Sequence, residues 1–244
     1  MKLRAILAIA TSLAIAAPVV AAEVDQTFME KLMAVLDAHP EIAMSAVERG
    51  RAKAEANAQK RAEEASKGLY ASLSAPVPGQ PIIGSPAARH TVVELLDYQC
   101  GYCKVMHPRM KDMLARRPDT RIVVVMTPVL GPASVQLAKF ALAADEQGKF
   151  AVVHDALYSH EGRLTGGEEE LQAIAKKTGL DWASAKVAME GKAVKERMDQ
   201  TQVMWNQLNR PGTPFIIAAG KVFPGAVELE PLMASLPPVK IAAR

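Results

Sequence analysis

The sequence predicts an α/β fold: a βαβ…ββα scaffold, interrupted by a helical insertion and preceded by an N-terminal helical arm. Three observations carry this reading. Two short, mostly apolar runs, Thr91–Leu96 and Arg121–Met126, have the apolar density of buried strands and flank one helical stretch. A second pair of β-type runs, Pro214–Ala218 and Lys221–Phe223, is joined across Ala219-Gly220 as an antiparallel hairpin. Between the two pairs, residues 132–209 carry helical periodicity throughout.

The elements follow in order. Met1-Lys2-Leu3-Arg4 is basic, Ala5–Ala17 is apolar, and Val20-Ala21-Ala22 offers small residues before Glu23. This pattern predicts a signal peptide over residues 1–22, cleaved after about Ala22. It makes the remaining chain an exported, soluble, periplasmic protein. From Glu23 to Leu73 the chain reads as helix. Phe28, Leu32, Val35 and Leu36 share one face, and Pro40 breaks the run or opens a second helix. Residues 51–66 are rich in Ala, Glu, Lys, Arg and Gln, strong helix formers with almost no large apolar side chain. Such a segment buries little by itself, so residues 23–73 are expected to be a solvated strut or an oligomerisation arm. Ser74-Ala75-Pro76-Val77-Pro78-Gly79-Gln80-Pro81 ends helicity and reads as a linker, so that residues 23–75 form the arm and residues 82–240 the main domain.

Within that domain, Lys104–Arg116 is helical with Met106, Met110 and Met113 on one face, a spacing that fits packing on a sheet. Five further helices are expected at Ser134–Gln147, Phe150–Ser159, Glu168–Thr178, Trp182–Glu190 and Ala193–Leu208. A last helix is expected at Glu228–Leu236. Arg116-Arg117 reads as charge compensation at a helix end, His154 and His160 as packing or solvated residues, and Trp182 and Trp205 as core of the insertion.

Charge excludes some functions. Without Lys2 and Arg4 the formal charge falls from +3 to +1, which asks for neither nucleic acid nor an anionic membrane. The 2 cysteines stand as Cys100-Gly101-Tyr102-Cys103, directly after the first predicted strand. A disulfide across so small a loop removes little chain entropy, so the pair's value lies in chemistry. A thiol reacts as its thiolate, and a helix N-terminus stabilises that anion through its free amides and dipole. Cys100 is placed to be an accessible nucleophile, and Cys103, one turn on, to resolve the mixed disulfide. A zinc site would need four ligands. Cys100, Cys103 and His107 supply three and no paired partner motif follows, so no metal and no cofactor is expected. Cu(I) held by the same thiolates is the alternative, with the three methionines as further soft ligands.

Val93-Glu94-Leu95-Leu96-Asp97-Tyr98-Gln99-Cys100-Gly101-Tyr102-Cys103-Lys104 resembles the active-site strand and helix of DsbA-like thioredoxin-fold oxidoreductases. Gly84-Ser85-Pro86 and Gly212-Thr213-Pro214-Phe215 resemble two further family segments, and the resemblance covers about residues 82–237. It implies a thioredoxin fold with an inserted helical domain. It implies that Pro214 is a cis-proline beside the active site, that Thr213 and Tyr102 meet substrate, and that Glu94 is a buried acid assisting proton transfer at Cys103. It further implies exported cysteine-containing protein substrates and a membrane redox partner that resets the thiols. Gly-Tyr between the cysteines departs from the Pro-His of strongly oxidising members and removes a charge-stabilising group. The helical arm is similar to that of longer members of the suppressor-of-copper-sensitivity protein C type, which implies a homo-oligomer, dimer or trimer, through residues 23–73. Disulfide formation or isomerisation in exported proteins is the activity these features imply.

Overall fold

The computed structural model describes residues 26–74 and 79–238; the expected signal peptide and residues 75–78 of the expected linker lie outside them. The chain divides into two compact units, residues 1–53 and 54–244.

The first unit holds α1 (Gln26–Ala38) and the start of α2 (Pro40–Ser74). Proline at the first helical position lacks only an amide that would be unpaired anyway, so Pro40 starts α2 rather than breaking a longer helix. None of the residues of α1 is buried. Phe28, Met33 and Val47 are 58%, 52% and 57% exposed, so this unit leaves large apolar side chains in water.

The second unit is built on a five-stranded sheet in the order β1-β3-β2-β4-β5. β1 (Ile82–Gly84) is followed by β2 (His90–Leu96), α3 (Gly101–Arg116) and β3 (Thr120–Met126). β2 and β3 pair in parallel, as a strand–helix–strand crossover requires. The insertion follows as α4 (Pro132–Glu146), α5 (Phe150–Tyr158), α6 (Glu168–Thr178), α7 (Trp182–Met189) and α8 (Lys192–Gln207). The hairpin β4 (Phe215–Ala218) and β5 (Lys221–Pro224) then adds to the free side of β2, antiparallel, and α9 (Leu229–Ser235) closes the described chain. β1 is three residues long, too short to show a period of two, and its pairing with β3 is what defines it as a strand.

Side chains alternate across a strand, so each buried strand feeds two cores. Val92 and Leu96 of β2, with Ile122, Val124 and Met126 of β3, face the larger core, where Met106, Met110 and Met113 of α3 also pack. The methionine stripe is therefore core. Val93, Leu95, Val123, Val125, Phe215 and Ile217 face the other way, against Trp205, Leu208 and Leu69. Two expectations change here. Trp205 belongs to this second core under the sheet, not to the interior of the insertion, because α8 leaves the insertion and crosses the sheet's opposite face. Leu69 and Ala65, within the stretch expected to be a free arm, pack on that same face. The last turns of α2 thus belong to the second unit.

Arg117 also departs from expectation. It is 6% exposed, and its guanidinium donates to both carboxylate oxygens of Asp119 at 2.9 and 3.1 Å and to the Pro237 carbonyl at 2.7 Å. The forked pairing lets it stay charged while covered.

Leu69→Ala should destabilise the second unit by about 2 kcal/mol, the low end for a leucine truncation because the residue sits at the core's rim. Urea unfolding followed by the fluorescence of Trp205, its neighbour in that core, measures this.

Candidate active site

β2 ends at Leu96, and Asp97 turns the chain toward α3. Asp97 is 2% exposed, and its carboxylate accepts three backbone amides: Gln99 at 2.8 Å, Val129 at 2.8 Å and Leu130 at 3.0 Å. Its carbonyl accepts the Cys100 amide at 3.0 Å. One buried acid therefore fixes both the turn into the cysteine motif and the loop after β3. The sequence reading missed it; an acidic residue between a buried strand and a helix was its only signal.

Cys100 occupies the N-cap of α3 in extended backbone, φ −80° and ψ 116°. The first-turn amides of α3 lie next to it, and helix termini leave such donors unpaired. Its thiol donates to the backbone carbonyl of Thr213 at 3.2 Å. The Thr213–Pro214 peptide is cis. Cys100 is only 8% exposed, against the expectation of an open nucleophile. The physical reason is that contact: the loop before β4 lies over the sulfur. Tyr102, by contrast, is 70% exposed. The motif thus presents an aromatic side chain to solvent while its first sulfur faces the proline loop.

Cys103 lies in the first turn of α3, 1% exposed, and both cysteines are free thiols. Burial pushes the Cys103 thiol well above the ordinary cysteine range, reinforced by the nearby Cys100 and Glu94 and partly offset by the Asp97 backbone. Glu94 is 3% exposed and shares a face of β2 with Val92 and Leu96, the face on which α3 packs. Its neighbours across the sheet are Val124 and Ile216, both apolar. Burial lifts its carboxyl from 4.5 to about 8.

Beside Glu94 a cleft of ≈ 440 Å³ runs between α3 and α5, with Met110, Ile122 and His154 among its walls and Lys111 and Asp155 at its polar end. His154, 3% exposed, lies 2.9 Å through Nδ1 from the Tyr98 hydroxyl and stacks edge-on with Tyr158. Burial lowers its pKa to about 3, so the ring is neutral. His107 is 3.0 Å from Asp155, yet burial outweighs that attraction and its pKa is lowered too. His107 is thereby committed to Asp155 rather than to the sulfurs. Among the described residues no three His, Cys, Asp or Glu side chains converge in a group that could hold a metal ion.

The fold and this pair of thiols define the class: a thioredoxin-type protein with a dithiol at the start of a helix, opposed by a cis-proline loop. Residues 91–236 match the family described as the DSBA-like thioredoxin domain, and the chain belongs to that family. A thioredoxin-like oxidoreductase from Silicibacter pomeroyi DSS-3 is similar at 32% identity, covering 65% of this chain and 91% of that one, with a TM-score of 0.61. The thiol-disulfide exchange protein alpha-DsbA2 from Wolbachia pipientis is similar at 26% identity, over 70% of this chain and 94% of that one, TM-score 0.63. A variant of Proteus mirabilis ScsC covers 88% of this chain and 96% of its own at 19% identity and a TM-score of 0.64, a likeness of fold. A curated relative, the Na(+)/H(+) antiporter NhaA 3 of Salinispora tropica, is 28% identical over 163 residues, which are 66% of this chain and 25% of that protein. The chain thus spans about a quarter of the length of the curated relatives it matches. Among the described residues no helix is long and apolar enough to cross a membrane.

The raised pKa of Glu94 makes stability depend on pH. Below about pH 4.5 the carboxyl is protonated whether the chain is folded or not. Between 4.5 and about 8 the unfolded chain ionises it and the folded chain does not, so stability falls as pH rises through that window. Glu94→Gln should therefore match the parent near pH 4 and exceed it by on the order of 3 kcal/mol near pH 9. Urea midpoints across that range, with both cysteines reduced, measure the difference.

Proposed function

We propose that the chain is a periplasmic protein disulfide oxidoreductase that forms or isomerises disulfides in exported proteins, and that it works as a homo-oligomer. The observation that carries the chemistry is the pairing of a first sulfur at a helix N-cap, facing the proline loop, with a second sulfur buried one turn on beside a carboxylic acid of pKa about 8.

In the oxidising direction a substrate thiolate attacks the Cys100 sulfur of the Cys100–Cys103 disulfide. The S–S bond breaks and its electron pair goes to Cys103. That thiolate is disfavoured by burial and takes a proton, for which Glu94, protonated at neutral pH, is the adjacent donor. A second substrate thiolate then attacks the mixed disulfide and releases Cys100 as thiolate, where the first-turn amides of α3 stabilise the charge. The substrate loses two electrons and the protein gains two. Isomerisation uses the reverse attack by Cys100, followed by rearrangement within the substrate. Exposed Tyr102, Val105, Val129 and Leu130 give an unfolded chain apolar side chains to lie against. Pro214 has no amide to compete for the substrate backbone, and Thr213 offers it a carbonyl. A membrane-bound partner resetting the thiols completes the cycle.

Oligomerisation through α1 rests on its unburied apolar residues; Phe28, Met29, Leu32, Met33 and Val35 are each at least 37% exposed. A second copy of the same helix would cover them, and several active sites on one assembly suit isomerisation.

Insulin reduction by Cys100→Ser should fall by at least about a thousandfold, because only Cys100 can open the exchange. Cys103→Ser should instead accumulate mixed disulfides visible on non-reducing gels. Loss of activity in Cys103→Ser with no trapped species, or refolding activity surviving in Cys100→Ser, would refute the assigned roles. Sedimentation of the chain from Glu23 should show an oligomer, and Phe28→Glu with Leu32→Glu should turn it into a monomer. A native monomer removes the oligomer reading; refolding of scrambled substrate that survives in the monomer removes its link to isomerisation.

A further inference from the structure

A second recess opens on the α5–α6 side of Cys100. It holds ≈ 200 Å³, room for one side chain rather than a peptide, and Gln99, Cys100, Gly101, Lys104, Arg163 and Leu164 are among its walls. The chain between α5 and α6 forms its outer rim. That loop is tied to the cysteine motif by three hydrogen bonds: Gln99 Nε2 donates to the Leu164 carbonyl at 2.7 Å, Arg163 Nε donates to Gln99 Oε1 at 2.8 Å, and Lys104 Nζ donates to the His160 carbonyl at 2.6 Å. Leu164 anchors the loop in the core at 5% exposure, so Arg163 is held at a fixed place beside the sulfur.

The charge there is unbalanced. Ion pairs occupy many of the chain's other cations: Lys111 on Asp155, Lys139 on Glu190, Lys186 on Glu168, Arg197 on Asp145. Among the described residues neither Lys104 nor Arg163 has a carboxylate within 4.0 Å, and the two terminal nitrogens of Arg163 make no hydrogen bond. Glu161, in the same loop, is exposed and pairs with neither. The Gln99 contact uses Nε and so orients the planar guanidinium while leaving its terminal edge unused. That edge is the part that takes a carboxylate with two parallel bonds.

We propose that this recess is a carboxylate subsite for protein substrates, so that the protein selects target cysteines with a Glu or Asp close by in the sequence. The proposal rests on the exchange reaction at Cys100 and names the substrate class for it. A substrate cysteine that meets Cys100 under the proline loop brings its neighbouring residue to the recess, whose apolar floor at Leu157 and Leu164 takes the side-chain stem. Arg163 holds the carboxylate, and Lys104 adds positive potential. Each such pair near a surface contributes up to about a fivefold preference, screened by salt.

The test uses full-length Cys103→Ser protein, in which Cys100 still attacks but nothing resolves the product. Peptides of one sequence, carrying Glu, Gln or Lys beside a single cysteine, are supplied as mixed disulfides with a coloured aryl thiol. Cys100 thiolate attacks the peptide sulfur, forms Cys100–peptide disulfide and releases the aryl thiolate, whose absorbance gives the rate. The Glu peptide should react at least about threefold faster than the Gln peptide at low salt and the Lys peptide slower, with the differences shrinking as salt is added. Arg163→Gln should bring the Glu/Gln ratio close to one, Arg163→Glu should invert it, and Lys104→Gln should lower it partway. Because the readout is a ratio within one variant, a general loss of reactivity leaves it unaffected. A ratio near one in the parent, or a ratio unchanged in both Arg163 variants, overturns the subsite while leaving the exchange reaction intact. Release of no aryl thiolate from any peptide overturns the exchange reading itself, and the subsite with it.

Discussion

The Asp97 carboxylate is the constraint on which the reactive end of the molecule depends. It is covered by protein and satisfied by three main-chain amides from two separate loops. A buried carboxylate is tolerated only when its lone pairs are filled, and a buried amide only when it finds an acceptor. Each loop therefore needs the other. The turn carrying the first sulfur cannot shift without releasing Val129 and Leu130, and those cannot shift without stranding Asp97. The sulfur's position at the cap of α3 follows from this mutual requirement rather than from any property of cysteine.

Two sulfurs one helical turn apart divide the labour of exchange between them. The first sits at the helix cap, where backbone dipoles converge, and donates to the Thr213 carbonyl. The second sits against aromatic and aliphatic side chains, with burial opposing its charge. Glu94 shares that apolar setting, and both groups hold their protons at neutral pH. An acid whose affinity for protons is near that of the medium passes one on at little cost, which suits it to a partner that must gain and lose a proton each cycle. Its place follows from strand geometry: two residues after Val92 and two before Leu96, it has to point where they point.

Much of this was legible in the sequence. The parallel strand pair, the hairpin and the five insertion helices come from periodicity and neighbour chemistry, which are local, and the buried Glu94 from the family resemblance. What was not legible depends on distant residues meeting. β1 is recognisable only through its partner β3. Asp97 reads as an ordinary turn acid until residues from the other side of the fold bring their amides to it. Arg117 reads as a helix-end charge until Pro237 supplies a carbonyl. Gln99 and Arg163 are far apart along the chain, and no pattern in either stretch announces the other. The cover over Cys100 likewise arises from Thr213, a residue more than a hundred positions downstream.

The helix α2 bears on how this protein can be taken apart. Its composition suggests a spacer that could be trimmed or exchanged at the proline-rich segment after Ser74. Yet Ala65 and Leu69 lie over the sheet beside Trp205 and Leu208. A chimera joined at the prolines would lose a piece of the receiving domain's own interior along with the spacer. The natural seam for grafting a different N-terminal module lies earlier, near Lys53, so that the last turns of the helix travel with the domain they shelter.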